Sequence, residues 1–345
     1  MTFIIGLLLT VLSGALNGSF AVPTKLVKKW EWENTWLIYA FVGMIVFPLL
    51  ISIFFLPDVM NIYSGVDSLK LWVVLLFGLG WGIGSLLFGL AIRLVGISVG
   101  FTVVVGGIAV FGALLPFLVN SEHSLFEKDG IFILFALVST IVGVIFCGTA
   151  SKLRDVENSP NETAKLSTGN FKAGLLLSVL AALLSSMLNL AFYFGSPVAD
   201  AANIYLADRS TPFLVNHAIW QLALVAGFIP YLVYCTFLMI RNNSFDNYKL
   251  NISATNGAYA CLMATLWFSC IVSYGIGSEK LGNYGASLGW LILMAVTVII
   301  GNIWGVLTNE WKGSSSKART LMITGIVFLV GNIFIISLPK LFGWY

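Results

Sequence analysis

Ten separate stretches of this chain are apolar for about the length a helix needs to cross a bilayer. The hydrocarbon core takes about 20 apolar residues as a helix. Residues 3–22, 35–56, 70–92, 98–119, 130–148, 172–194, 212–240, 255–277, 284–308 and 319–338 all qualify. Lipid offers the backbone no hydrogen-bond partner, so long apolar runs cross it as helices that satisfy their own N–H and C=O groups. The fold expected is all-α: a polytopic membrane protein with ten transmembrane helices. Composition agrees, with 59% hydrophobic and only 10% charged residues, against about 25% charged in a soluble domain. A net charge of +3 is too small to imply a nucleic-acid partner.

Basic residues set the orientation. No Lys or Arg precedes the first run, while Lys25, Lys28 and Lys29 follow it. That is the wrong polarity for a secretory signal, so the run is read as a retained span. Alternate connections then hold thirteen Lys and Arg residues against five. The richer set is assigned to the cytoplasm, which puts both termini on the outer side. The four cysteines lie in or at the ends of apolar runs, with neither metal-ligand spacing nor a disulfide framework. No metal or other cofactor is expected.

The connection from Thr149 to Phe171 is polar and carries Pro160, so it reads as a flexible joint. The expected division is a first five-helix repeat over 1–150, a cytoplasmic linker over 151–171, and a second five-helix repeat over 172–345. An odd number of helices per half makes the second enter the membrane from the opposite side, an inverted repeat. Two matches support it. Ser13-x-x-x-Asn17 answers Ser185-x-x-x-Asn189, and the skeleton Trp81, Phe88, Gly89, Gly96 returns at identical spacing as Trp267, Tyr274, Gly275, Gly282. Each Trp lies roughly 18 Å into its span at 1.5 Å per residue, near the midplane. Such an arrangement suggests a carrier whose binding site lies between the halves.

The cores of the ten runs hold no Asp, Glu or Lys. A carrier of charged substrates usually places a counter-ion there despite a cost of at least about 2.5 kcal/mol. The expected substrate is therefore neutral and polar. Amides donate and accept, which suits hydroxyls, and aromatic faces suit the C–H side of a sugar ring. The expected lining is Asn17, Trp81, Asn189, Gln221, Trp267 and Tyr274; the competing reading is that such polar groups only hold helices together. His217, one helical turn from Gln221, is the candidate proton carrier, because its reference pKa of about 6.5 suits exchange near neutrality. A structural histidine bonded to a neighbouring helix is the alternative, leaving Asp200, Asp208 and Glu279 at the outer mouth. Arg93 and Glu279 stand at equivalent repeat positions and are the expected gate residues. Gly78-x-x-x-Gly82 and its neighbours predict close helix packing.

Three segments carry a resemblance: Pro23-Thr24-Lys25 through Lys28-Lys29-Trp30-Glu31-Trp32-Glu33; Phe77-Gly78-x-x-Trp81-Gly82-Ile83-Gly84; and Phe88-Gly89 through Arg93-x-x-Gly96-x-Ser98-x-Gly100. With Leu307-x-x-Glu310-Trp311, they resemble the L-rhamnose–proton symporter family, within the drug/metabolite transporter superfamily. The resemblance implies ten helices in two inverted halves, alternating access, and import of L-rhamnose or a similar deoxy-sugar with protons across the bacterial inner membrane. The alternatives are an exporter of amphipathic metabolites and a membrane enzyme acting on lipid-linked sugars. The latter needs a clustered His/Asp/Glu set that the short loops do not offer.

Overall fold

The computed structural model describes residues 2–95, 97–119, 128–158, 171–282 and 285–341. These are almost wholly helical, and no strand occurs among them. In chain order the α-helices are α1 (Thr2–Ser19), α2 (Trp32–Phe41), α3 (Phe47–Phe55), α4 (Val59–Ser64), α5 (Ser68–Val95), α6 (Ile97–Val119) and α7 (Lys128–Asn158). They continue as α8 (Phe171–Phe194), α9 (Ser196–Leu206), α10 (Pro212–Asn242), α11 (Ser253–Leu281), α12 (Trp290–Leu307) and α13 (Ser316–Leu341). Ten segments are long and apolar enough to cross a membrane, and each overlaps one of the ten runs read from sequence. The chain is a multi-pass membrane protein.

Local chemistry places the boundaries. Thr211 caps α10 by accepting from the Leu214 N–H, Pro212 follows at the first turn, and Asn243 closes the helix in the left-handed region at φ 51°. Between α2 and α3, Val42–Val46 forms a π-helical turn in which the Phe47 N–H bonds Val42. Pro48, two residues into the next helix, has no N–H to give, and the wider turn absorbs that loss within one continuous span. Where the sequence reads a joint from Thr149, α7 continues as helix to Asn158. Residues 159–170 lie outside the described residues.

The chain forms two compact units, each mixing spans from both halves of the sequence. One comprises residues 1–18, 84–186 and 277–345, the other 19–83 and 187–276. In the first unit, α7 and α13 pack where small residues admit close approach. A Cβ on Gly325 would lie 2.8 Å from the Gly143 carbonyl oxygen and 2.6 Å from Cys147 Sγ. Cys147 belongs to an apolar cluster with Val105, Val144, Ala295, Val298 and Leu329. Asn332 donates to Thr140 across the same pair at 2.8 Å. Arg154 binds Glu310 at 2.9 Å and lies 5.0 Å over the Trp311 ring, tying α7 to the connection before α13.

In the second unit α5 and α10 come together through glycine. A Cβ on Gly78 would meet the Ala223 carbonyl oxygen at 2.2 Å, and one on Gly82 the Gly227 oxygen at 2.3 Å. The helix packing expected of Gly78-x-x-x-Gly82 is therefore present, with Ala223-x-x-x-Gly227 facing it.

Candidate functional site

The second unit gathers six of the nine sequence-predicted site residues. At its centre Trp81 of α5 and Trp267 of α11 stack with centroids 5.4 Å apart and planes 10° from parallel. They are 7% and 5% exposed. Trp81 lies over Gly227, whose Cβ, if present, would be 2.7 Å from the indole. Trp267 lies over Gly43 of the π-helical turn, at 3.5 Å. A tyrosine abuts each ring: Tyr39 edge-on to Trp267 at 5.9 Å, and Tyr231 tilted against Trp81 at 6.4 Å. Each Trp thus rests on a glycine, beside a tyrosine, of the opposite sequence half.

A second cluster surrounds α10. Ser52 of α3 sits between His217 and Gln221, with its Oγ 3.0 Å from His217 Nε2 and donating to Gln221 Oε1 at 2.5 Å. A hydroxyl has one proton. As placed, it goes to Gln221 and His217 Nε2 meets Ser52 as the donor; in the other tautomer Nε2 accepts. The ring also bears on the Pro48 backbone, and no other partner for the buried Nδ1 occurs among the described residues. His217 is 2% exposed and packs on Phe213.

On another side of the same helix, Trp220 stacks on Phe192 of α8 at 4.9 Å. Tyr274 of α11 donates a short hydrogen bond to Asn189 of α8. Both partners of that bond are fully buried. The two residues that the repeat singled out for one chamber are therefore in direct contact.

Three predicted site residues belong to the first unit instead. Asn17 donates to Thr297 of α12 at 3.1 Å, and Glu279 is exposed near the end of α11. Arg93 falls on α5, but its side chain lies outside the described residues, as does Gly96.

Sequence reading missed two residues. Ser52 is the one serine in the apolar run 35–56, and nothing local distinguishes it. Glu33 falls outside the apolar run 35–56, but the helix begins earlier, at Trp32. Glu31 and Asn34 form a capping box there, each accepting from the other's backbone. That Glu-x-x-Asn pattern ahead of an apolar run was the available signal.

A family model described as L-rhamnose-proton symport protein matches residues 1–340. Among curated proteins, L-rhamnose-proton symporters of Yersinia pestis (strain Pestoides F) and Yersinia pseudotuberculosis (strain YPIII) are each 27% identical over 340 residues. The alignment covers 96% of this chain and 96% of each relative.

Proposed function

This chain belongs to the L-rhamnose-proton symport protein family, and from that premise we propose that it imports L-rhamnose together with protons by alternating access. The observation that carries this is the family match over 340 residues joined to ten membrane-length helices. The family is one of transporters rather than enzymes. Neither an exporter of amphipathic metabolites nor an enzyme on lipid-linked sugars is favoured by relatives named for symport. The setting proposed is the bacterial inner membrane with both termini outward, supported by the basic residues gathered in alternate loops.

The proposed sugar site draws on Trp81, Trp267, Asn189, Tyr274 and Gln221 of the second unit; Asn17 is likewise a proposed sugar-binding residue. Trp81 and Trp267 supply aromatic faces for the C–H side of the ring; amide and hydroxyl groups match its hydroxyls. The two indoles cover each other's inner faces, so contact with sugar requires them to part. His217 is the proposed proton carrier, supported by its buried ring held between Ser52 and the Pro48 backbone. The gates proposed are Arg93 and Glu279. Two inverted five-helix repeats, 1–150 and 172–345 about a 151–171 linker, are supported by the reciprocal seating of each Trp on the other half's glycine.

The test is uptake of labelled L-rhamnose into liposomes holding the purified chain, with and without an imposed pH gradient. Accumulation above the outside concentration only when the outside is acidic is expected. Equal uptake without a gradient, never exceeding equilibration, would sink the symport reading.

A further inference from the structure

Among the described residues only two of the Asp, Glu, Lys, Arg and His side chains are buried: His217 and Glu33. They lie against opposite ends of one helix. His217 stands in the second turn of α10, whereas Glu33 Oε1 accepts from Asn242 Nδ2 at its last residue (2.9 Å) and from Ser244 Oγ just beyond (2.7 Å). The 25 residues from 217 to 242 span ~37 Å of helix.

Glu33 is 2% exposed, and no cation pairs with it among the described residues. A carboxylate so placed needs its remaining hydrogen bonds. Asn242 and Ser244 supply two of them, and the neighbouring Asn34 ties the same elements together through a polar knot. Asn34 donates to the Ser244 carbonyl at 2.9 Å and accepts from Asn247 at 2.9 Å, and Tyr248 donates to the Asn34 carbonyl at 3.0 Å. The ionisable groups that face Glu33 are Cys235 from α10 and Tyr248 from the connection after it. Asp246 and Lys249 are exposed and bonded to each other.

We propose that Glu33 is a proton-controlled latch of the transport cycle, resting on the symport reading above. As a carboxylate it holds the start of α2 to the end of α10 and to Ser244. When it takes one proton, –COO⁻ becomes –COOH and both bonds lose their charge assistance, which roughly doubles the strength of such bonds. The two elements are then free to separate. On closure the proton leaves to the adjoining water and the carboxylate regains its donors. Linkage makes the coupling reciprocal: the conformation that strips Glu33 of Asn242 and Ser244 binds the proton more tightly, and proton binding favours that conformation. A merely structural polar contact would need no ionisable group here, since a buried glutamine satisfies the same two donors through its carbonyl.

The test uses the full chain in liposomes and two measurements on one preparation: L-rhamnose exchange at equal pH on both sides, and accumulation under an imposed proton gradient. Glu33→Gln is expected to keep exchange within about threefold of wild type and lose about tenfold or more of the accumulation, within the usual range of coupling energies. Glu33→Asp, which keeps the ionisable group, is expected to retain coupled accumulation. Wild-type accumulation by Glu33→Gln overturns the latch. Loss of exchange and accumulation alike in both variants marks a structural role and overturns it too. Failure of the unaltered chain to accumulate rhamnose strikes instead at the symport reading beneath it.

Discussion

Trp81 and Trp267, 186 residues apart in sequence, stack face to face at 5.4 Å. Aromatic pairs of this kind contribute about 0.5–1.5 kcal/mol beyond their buried area. If the pair also receives the sugar, removing one ring weakens substrate binding more than it weakens the fold. Trp81→Leu and Trp267→Leu keep an apolar side chain without an aromatic face. Each is expected to raise the KM for rhamnose uptake by about tenfold, the equivalent of ~1.4 kcal/mol. An unchanged KM in both variants removes the pair from the sugar site.

Ser52 is shared by His217 and Gln221. Ser52→Ala leaves His217 and Gln221 without their shared partner, at about 1–3 kcal/mol of lost stability. A melting temperature lower by roughly 2–8 °C is expected in detergent. His217→Gln tests a separate property: it is expected to keep rhamnose exchange and lose gradient-driven accumulation. If accumulation survives in His217→Gln, the residue is structural.

Two glycines of α5 are expected to respond in opposite senses. At Gly82 a methyl would sit 2.3 Å from the Gly227 carbonyl oxygen, whereas at Gly89 it meets nothing within 4 Å. Gly82→Ala forces α5 and α10 apart at a cost of about 1–3 kcal/mol. Gly89→Ala gains about 0.5–1 kcal/mol from reduced backbone freedom in the unfolded chain. Thermal unfolding of the two variants side by side checks the signs.

The proposed orientation places Lys70 outside and Lys152 inside. In a Cys261→Ala background, which removes the one exposed cysteine among the described residues, Lys70→Cys is expected to react with a membrane-impermeant thiol reagent on intact cells. Lys152→Cys is expected to react only after permeabilisation. The reverse labelling pattern would invert the topology.

The number and position of the spans were legible because crossing lipid is a local requirement. A run of sufficient apolar length must become a helix wherever its neighbours go. Close packing at Gly78 and Gly82 was legible for a similar reason, since absent side chains are visible in sequence. The repeated Trp skeleton marked two residues that do meet.

The partners of the polar groups were not legible. Ser52 finds His217 across 165 residues and Tyr274 finds Asn189 across 85, while Asn17 pairs with Thr297 across 280. Glu33 lies outside the apolar run 35–56, and only the helix start at Trp32 and the end of α10 bury it. The sequence by itself determined an all-helical chain that spans a membrane ten times, because hydrophobic length depends only on consecutive residues. Tertiary structure alone decided which few polar side chains are buried and bonded to one another, because that depends on which distant helices share a face.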